Sequence, residues 1–278
     1  MTPPNAPVGR LIVCPTPIGN MADITLRALD ELGRADAIAC EDTRHTRPLL
    51  ERHGIDAARL VSLHEHNEAA RSRELAERVR AGERIALVTD AGTPLVSDPG
   101  YELIQACLRE GLEVEVLPGA SAALTALVAS GLPAARWCFH GFLPRKRGEL
   151  VALLGGAQET LVAFESPRRL AATLALLAEL DPHRPVAVCR ELTKLHEEVV
   201  RGRAAELAER YGGEAPRGEV TLVIGAADEN RADLGAALDA VRELVESGAR
   251  PRAAASAVAR LTGLPANGLY RGATGAKR

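Results

Sequence analysis

The sequence predicts an α/β protein of two domains, 9–118 and 119–227, followed by a small helical extension over 233–278. Three observations carry that prediction. Short apolar, β-rich runs alternate with amphipathic stretches of helical period, a second set of such runs follows the turn-like break Gly131-Leu132-Pro133, and the last part of the chain keeps the helical period with no strand signal. Strand and helix in alternation imply parallel pairing and an open sheet.

In the first domain, strand signals fall at 10–14, 37–40, 60–63, 85–89 and 114–117. The first helix has a readable start. Asp23 caps the chain ahead of Ile24, Leu26, Leu29 and Leu32, with Gly33 near the helix end. A helix from about Ser121 stops at the 131–133 break, which places the domain boundary near 117–120. In the second domain, strands are predicted at 161–164, 186–189, 199–201 and 220–224, and the helix beginning near Pro167 carries Leu170, Leu174 and Leu177 on one face. A polar stretch, 228–233, leads to the tail. There, a short alanine-rich helix (253–261), the turn Thr262-Gly263-Leu264-Pro265 and a second helix from Ala266 make a helix-turn-helix pattern.

Composition narrows the function classes. A chain of 278 residues that is 46% hydrophobic can bury one or two sizeable cores. Charges interrupt every apolar run before the roughly 20 residues that a membrane span needs, and the start, 1–8, has neither the basic residues nor the apolar stretch of a secretory signal. A cytoplasmic protein is expected. The five cysteines (Cys14, Cys40, Cys107, Cys138 and Cys189) lie far apart with no CxxC pair, and His64 and His66 lack further ligand-type neighbours at metal spacing, so no metal is predicted. The net charge of -3 argues against nonspecific wrapping of nucleic acid, yet Ser247 to Arg278 holds Arg250, Arg252, Arg260, Arg271, Lys277 and Arg278 with no acid. That arm is read either as a solvated helical tail or as an RNA contact.

Ligands of open α/β sheets settle beyond the carboxyl ends of the strands, so the loops there are the informative ones. Pro15-Thr16-Pro17-Ile18-Gly19-Asn20 follows the first strand; it is stiffened by two prolines and is not the GxGxxG dinucleotide fingerprint. Asp90-Ala91-Gly92-Thr93-Pro94-Leu95-Val96-Ser97-Asp98-Pro99-Gly100 is far richer in glycine, proline and carboxylate than a bland connection requires. Pro118-Gly119-Ala120-Ser121-Ala122 offers small side chains for close approach, with Ser121 equally read as an N-cap.

These three loops, in this order, resemble the tetrapyrrole methylase superfamily, class III S-adenosylmethionine-dependent methyltransferases. With EDTRHT (41–46), HEHNE (64–68), GFLP (141–144) and RELTK (190–194), the chain is similar over nearly its whole length to the branch that methylates a ribose 2′-hydroxyl of a decoding-centre cytidine in 16S rRNA. The resemblance implies S-adenosyl-L-methionine as cofactor in a cleft between the two α/β domains, the small ribosomal subunit as partner, and a homodimer. It also implies a cofactor cleft lined by Ile18, Gly92, Thr93, Val96, Ser121, Ala122, Phe164 and Leu192. A tetrapyrrole methyltransferase and a non-catalytic ribosome assembly factor are the alternative readings.

Transfer to a ribose hydroxyl requires alignment and removal of a proton from a very weak acid. Asp42, His66, Asp98 and Glu165, all near strand ends, are the candidate bases. Arg44 and Lys194 are candidates for holding RNA phosphate, with ion pairing to Glu41 and Glu191 as the alternative. Of seven aromatic residues, Trp137, Phe139 and Phe142 fall just before Arg145-Lys146-Arg147. The first two read as core, whereas Phe142 beside the basic triplet reads as an RNA contact.

Overall fold

Along β1 (Arg10–Val13) and the residue after it, Leu11 and Val13 are buried with the apolar faces of α3 and α4, whereas Ile12 and Cys14 are buried with those of α1 and α2. A strand covered on both sides needs a continuous apolar run, which is how this segment reads. The computed structural model describes residues 9–56, 60–227 and 234–274. The proline-rich start, the polar stretch 228–233 and the basic pair Lys277 and Arg278 lie outside the described residues.

The first sheet comprises β1, β2 (Ala37–Cys40), β3 (Leu60–Ser62), β4 (Arg84–Leu87) and β5 (Glu113–Val116), ordered β3-β2-β4-β1-β5 with every pairing parallel. Four helices link these strands: α1 (Leu26–Arg34), α2 (Thr43–Arg52), α3 (Glu68–Arg80) and α4 (Tyr101–Arg109). The predicted Asp23 cap is corrected. Asp23 sits in a short 3-10 turn capped by Asn20, and Ile24 is extended, so it is the Thr25 hydroxyl that reaches the free amide of Ala28 (3.1 Å) and starts α1.

Helix α5 (Ala122–Ser130), capped by the Ser121 hydroxyl and stopped by left-handed Gly131, packs on the second sheet. That sheet holds β6 (Trp137–Phe142), β7 (Thr160–Glu165), β8 (Pro185–Arg190), β9 (Glu198–Arg203) and β10 (Val220–Ile224), ordered β6-β7-β10-β8-β9. Its other face is covered by α6 (Arg147–Gly156), α7 (Pro167–Leu180) and α8 (Ala204–Arg210), with Leu170, Leu174 and Leu177 fully buried in that core. Here the expectation of parallel pairing is only partly met, since only β6 and β7 run parallel and β10 is antiparallel to both neighbours. The connection from β8 to β9 is too short to hold a crossover helix, so β9 must return antiparallel.

The tail forms three helices, α9 (Leu234–Glu246), α10 (Pro251–Thr262) and α11 (Ala266–Thr274), around their own core of Val241, Ala254, Ala255, Val258, Leu264 and Leu269. Gly263, left-handed at φ 70°, makes the turn between α10 and α11. Among the described residues no helix is long and apolar enough to cross a membrane.

Candidate active site

The three glycine- and proline-rich loops meet. Thr16 and Gly92 exchange backbone hydrogen bonds (2.8 and 3.0 Å), the Thr16 hydroxyl donates to the Thr89 carbonyl (3.0 Å), and the Thr93 hydroxyl donates to the Ala120 carbonyl (3.1 Å). The 90–100 loop takes a shape that few sequences tolerate, with Leu95 and Ser97 left-handed at φ 73° and 71° and Gly92 at 84°. Its far end is held by Glu68, the last residue of the HEHNE motif, whose carboxylate accepts the Gly100 and Glu102 amides at the start of α4. The loop after β8 reaches across from the second sheet. Thr193, itself left-handed, accepts the Asn20 amide on its hydroxyl (2.9 Å), and Gly19 lies so close to Leu192, Thr193 and Lys194 that a side chain there would collide.

Between these loops and the second sheet lies a cavity of about 480 Å³, the size of a small-ligand site. Ile18, Gly92, Thr93, Val96, Ser121, Ala122 and Phe164, seven of the eight residues expected around a cofactor, lie together in its wall. Leu192 does not line it; it is buried behind Ile18 in the apolar cluster under α5. Part of the wall had no sequence signal of its own. Gly218, Glu219, Val220 and Thr221 reach the site because antiparallel β10 presents its amino end beside the carboxyl ends of β7 and β8, where Val220 pairs with both Glu165 and Arg190.

The candidate bases separate sharply. Asp42 is outside the wall, clasped by the Arg44 side chain and backbone amide, and those hydrogen bonds hold its carboxyl at about 2, too acidic to take up a proton. His66 is exposed and away from the cavity, edge-on to His64. Glu165 borders the cavity, but its fully buried carboxylate accepts from the Ser166 amide (2.7 Å) and the Thr173 hydroxyl (2.6 Å) and faces Arg169. Asp98 is the remaining candidate. It borders the cavity, and burial pushes its carboxyl up to about 6, with Glu41 and Asp90 adding to the rise and the Thr89 hydroxyl opposing it. Among the described residues no basic side chain pairs with it, whereas the other wall carboxylates each have one: Asp90 is hydrogen-bonded to His45 Nδ1 (2.7 Å), Glu165 faces Arg169 and Glu219 holds Lys194 (2.9 Å).

The proposed phosphate contacts divide in the same way. Arg44 pairs with Asp42, and Lys194 bridges Glu191 and Glu219, so both cations are engaged with carboxylates of the chain itself. Of the basic triplet, Lys146 pairs with Glu149 and Arg147 with Glu179, while Arg145 is exposed without a carboxylate partner among the described residues. Phe142 is 61% exposed and forms part of the cavity wall. In the tail, Arg250, Arg252, Arg260 and Arg271 are all exposed and unpaired with carboxylates among the described residues, and Arg252 stacks over the Tyr270 ring (5.4 Å).

Residues 10–208 match the family of Tetrapyrrole (Corrin/Porphyrin) Methylases. The chain is 47% identical to ribosomal RNA small subunit methyltransferase I of Micromonospora olivasterospora, over 94% of this chain and 85% of that protein. It is 42% identical to the protein of the same name from Escherichia coli O157:H7, over 95% and 94%. A uroporphyrin-III C-methyltransferase from Thermus thermophilus, solved with S-adenosyl homocysteine, shares the fold at a TM-score of 0.54 and 22% identity, over 77% of this chain and 97% of that one. This chain therefore belongs to the tetrapyrrole methylase family and, within it, to the group of ribosomal RNA small subunit methyltransferase I proteins.

Proposed function

We propose that this chain transfers the methyl group of S-adenosyl-L-methionine to a ribose 2′-hydroxyl of 16S rRNA in the small ribosomal subunit. The observation that carries the chemistry is the cavity itself: apolar side chains (Ile18, Val96, Phe164), close backbone at Gly92, and a wall whose charged residues are all carboxylates. That lining fits a nucleoside bearing positive charge, with Ile18, Gly92, Thr93, Val96, Ser121, Ala122 and Phe164 holding it. When bound, the cofactor supplies an electrophilic methyl group on a sulfonium sulfur. The apolar residues exclude competing water, and Asp98 accepts the hydroxyl proton as the new bond to oxygen forms. Kinship to the ribosomal RNA enzymes at 42–47% identity supports the RNA substrate.

The test is transfer of labelled methyl from the cofactor to small subunits that lack the modification, followed by nucleoside mapping. Label on a ribose is expected, and label on a base, or on a tetrapyrrole in preference to the subunit, would sink the reading.

The tail belongs to the same proposal as an RNA-holding module. Changing Arg250, Arg252, Arg260 and Arg271 together to alanine should weaken subunit binding about tenfold or more and lower the salt dependence by about three counterions, with cofactor affinity unchanged. An unaltered salt slope would make the tail purely structural. Point substitutions suit this test better than truncation at 247, which would strip Ala237 and Val241 of the helices that cover them. A cytoplasmic homodimer completes the proposal. The free cysteines of the described residues suit a reducing compartment, and Leu124 and Val128, exposed one turn apart on α5, offer an apolar contact that light scattering would test.

A further inference from the structure

Glu165 is a carboxylate with no access to solvent at the edge of the cavity, and its role follows from what it holds. Arg169, four residues on in the first turn of α7, stands 3.4 Å from it and donates from its guanidinium to two backbone carbonyls, those of Leu143 (3.1 Å) and Pro144 (2.6 Å). Those carbonyls belong to the turn after β6. Just before them the pairing of β6 with β7 slips between Phe139 and Phe142, and Gly141 turns left-handed (φ 69°) against Ser97 of the 90–100 loop. A bulge of this kind re-aims the side chain that follows, and Phe142 becomes an exposed ring on the cavity wall, edge-on to Phe164 (5.6 Å) and three residues ahead of Arg145, which has no carboxylate partner among the described residues.

We infer that Arg169, anchored on Glu165, is a positioning residue that holds the turn after β6 so that Phe142 forms the substrate-side wall of the cavity, a stacking platform for one unpaired nucleobase with Arg145 on the adjoining phosphate. This rests on the proposed RNA substrate and adds how the target nucleoside is held. Proteins that act on a nucleotide take it out of its stack and lay the base against an aromatic side chain. Stacking on Phe142 brings the attached ribose to the cavity that Asp98 borders. Arg169 does not touch the nucleoside; its two hydrogen bonds set where the ring stands.

The experiment compares Phe142→Leu, Phe142→Tyr and the double variant Glu165→Gln/Arg169→Met in the full chain. The double variant removes both charges together, so no buried carboxylate is left uncompensated. Three quantities are read: KM for unmodified small subunits, affinity for S-adenosylhomocysteine by calorimetry, and quenching of 2-aminopurine in a single-stranded oligoribonucleotide. Phe142→Leu should raise KM about tenfold and abolish quenching, Phe142→Tyr should restore both, and the double variant should raise KM like Phe142→Leu, all with cofactor affinity within about threefold of wild type. An unchanged KM in Phe142→Leu overturns the platform, and cofactor affinity falling in step with KM overturns it by placing Phe142 on the cofactor side. An unchanged KM in the double variant overturns the role of Arg169. Failure of the wild-type protein to methylate ribose would defeat the functional reading instead, and the quenching arm would still decide whether a base stacks on Phe142.

Discussion

Asp98→Asn is expected to lower methyl transfer by about 10²–10⁴-fold, the usual contribution of a positioned proton acceptor, while making the protein more stable at neutral pH. Both effects come from one cause. Burial beside Glu41 and Asp90 raises the Asp98 carboxyl from 3.8 to about 6 in the folded chain. Below pH 3.8 the group is protonated folded or unfolded, and its neutral form suits the buried site. As pH rises the unfolded chain releases the proton first, so stability falls between about 4 and 6 and the loss is complete above 6. A shift of this size is at most about 3 kcal/mol, and partial exposure of the residue brings it to roughly 1–2 kcal/mol. Asparagine has no charge to bury and should recover that amount in urea denaturation at pH 7. The wild-type kcat/KM should rise through a limb near pH 6 as the carboxylate forms, and the limb should vanish in Asp98→Asn. Activity within a few-fold of wild type, or a limb that persists in the variant, would remove Asp98 from the proton path.

Gly119→Ala should cost both the fold and the cofactor. A Cβ built on Gly119 falls 2.5 Å from Pro15 Cβ and 2.9 Å from Pro15 Cγ, closer than side-chain atoms approach, and a proline ring cannot rotate aside. The 118–121 loop must therefore back away from the loop after β1. It carries the Ala120 carbonyl that receives the Thr93 hydroxyl, and Ser121, which caps α5, so the cavity opens where three loops now touch. A displacement near 1 Å at such a site is worth about 10²-fold, and S-adenosylhomocysteine affinity should fall at least about tenfold by calorimetry. Stability should drop by about 1–3 kcal/mol from the overpacking. Gly33→Ala is the matched control: nothing lies within 4 Å of its Cβ in α1, and alanine there should gain up to about 1 kcal/mol. Equal cofactor affinity in Gly119→Ala and wild type would show that the loop contact does not shape the site.

The local properties of the chain were legible without the structure. Apolar runs such as Leu11 to Cys14 form strands because a doubly covered strand must be apolar throughout, and the glycines and prolines at 15–20, 90–100 and 118–122 mark loops that approach one another. Those features sufficed for the two sheets, the helical tail and the three loops that meet at the cavity, whereas the residues expected to hold the cofactor came from the family resemblance. What the sequence could not decide is which of several possible partners a side chain takes, near or far along the chain, and which strand ends face the site. The sequence left Arg44 and Lys194 open between RNA phosphate and ion pairs with Glu41 and Glu191; the structure gives Lys194 the expected Glu191 together with Glu219, sets Arg44 on Asp42 instead, and closes Thr173 and Arg169 over Glu165, a candidate base. Looking for ligands after each strand overlooks Gly218 to Thr221, because only the antiparallel placement of β10 turns the start of a strand toward the site. A side chain's type and many of its possible charge partners are local, whereas its burial and the end of the sheet it faces are set by pairing across the chain, which the tertiary structure alone decides.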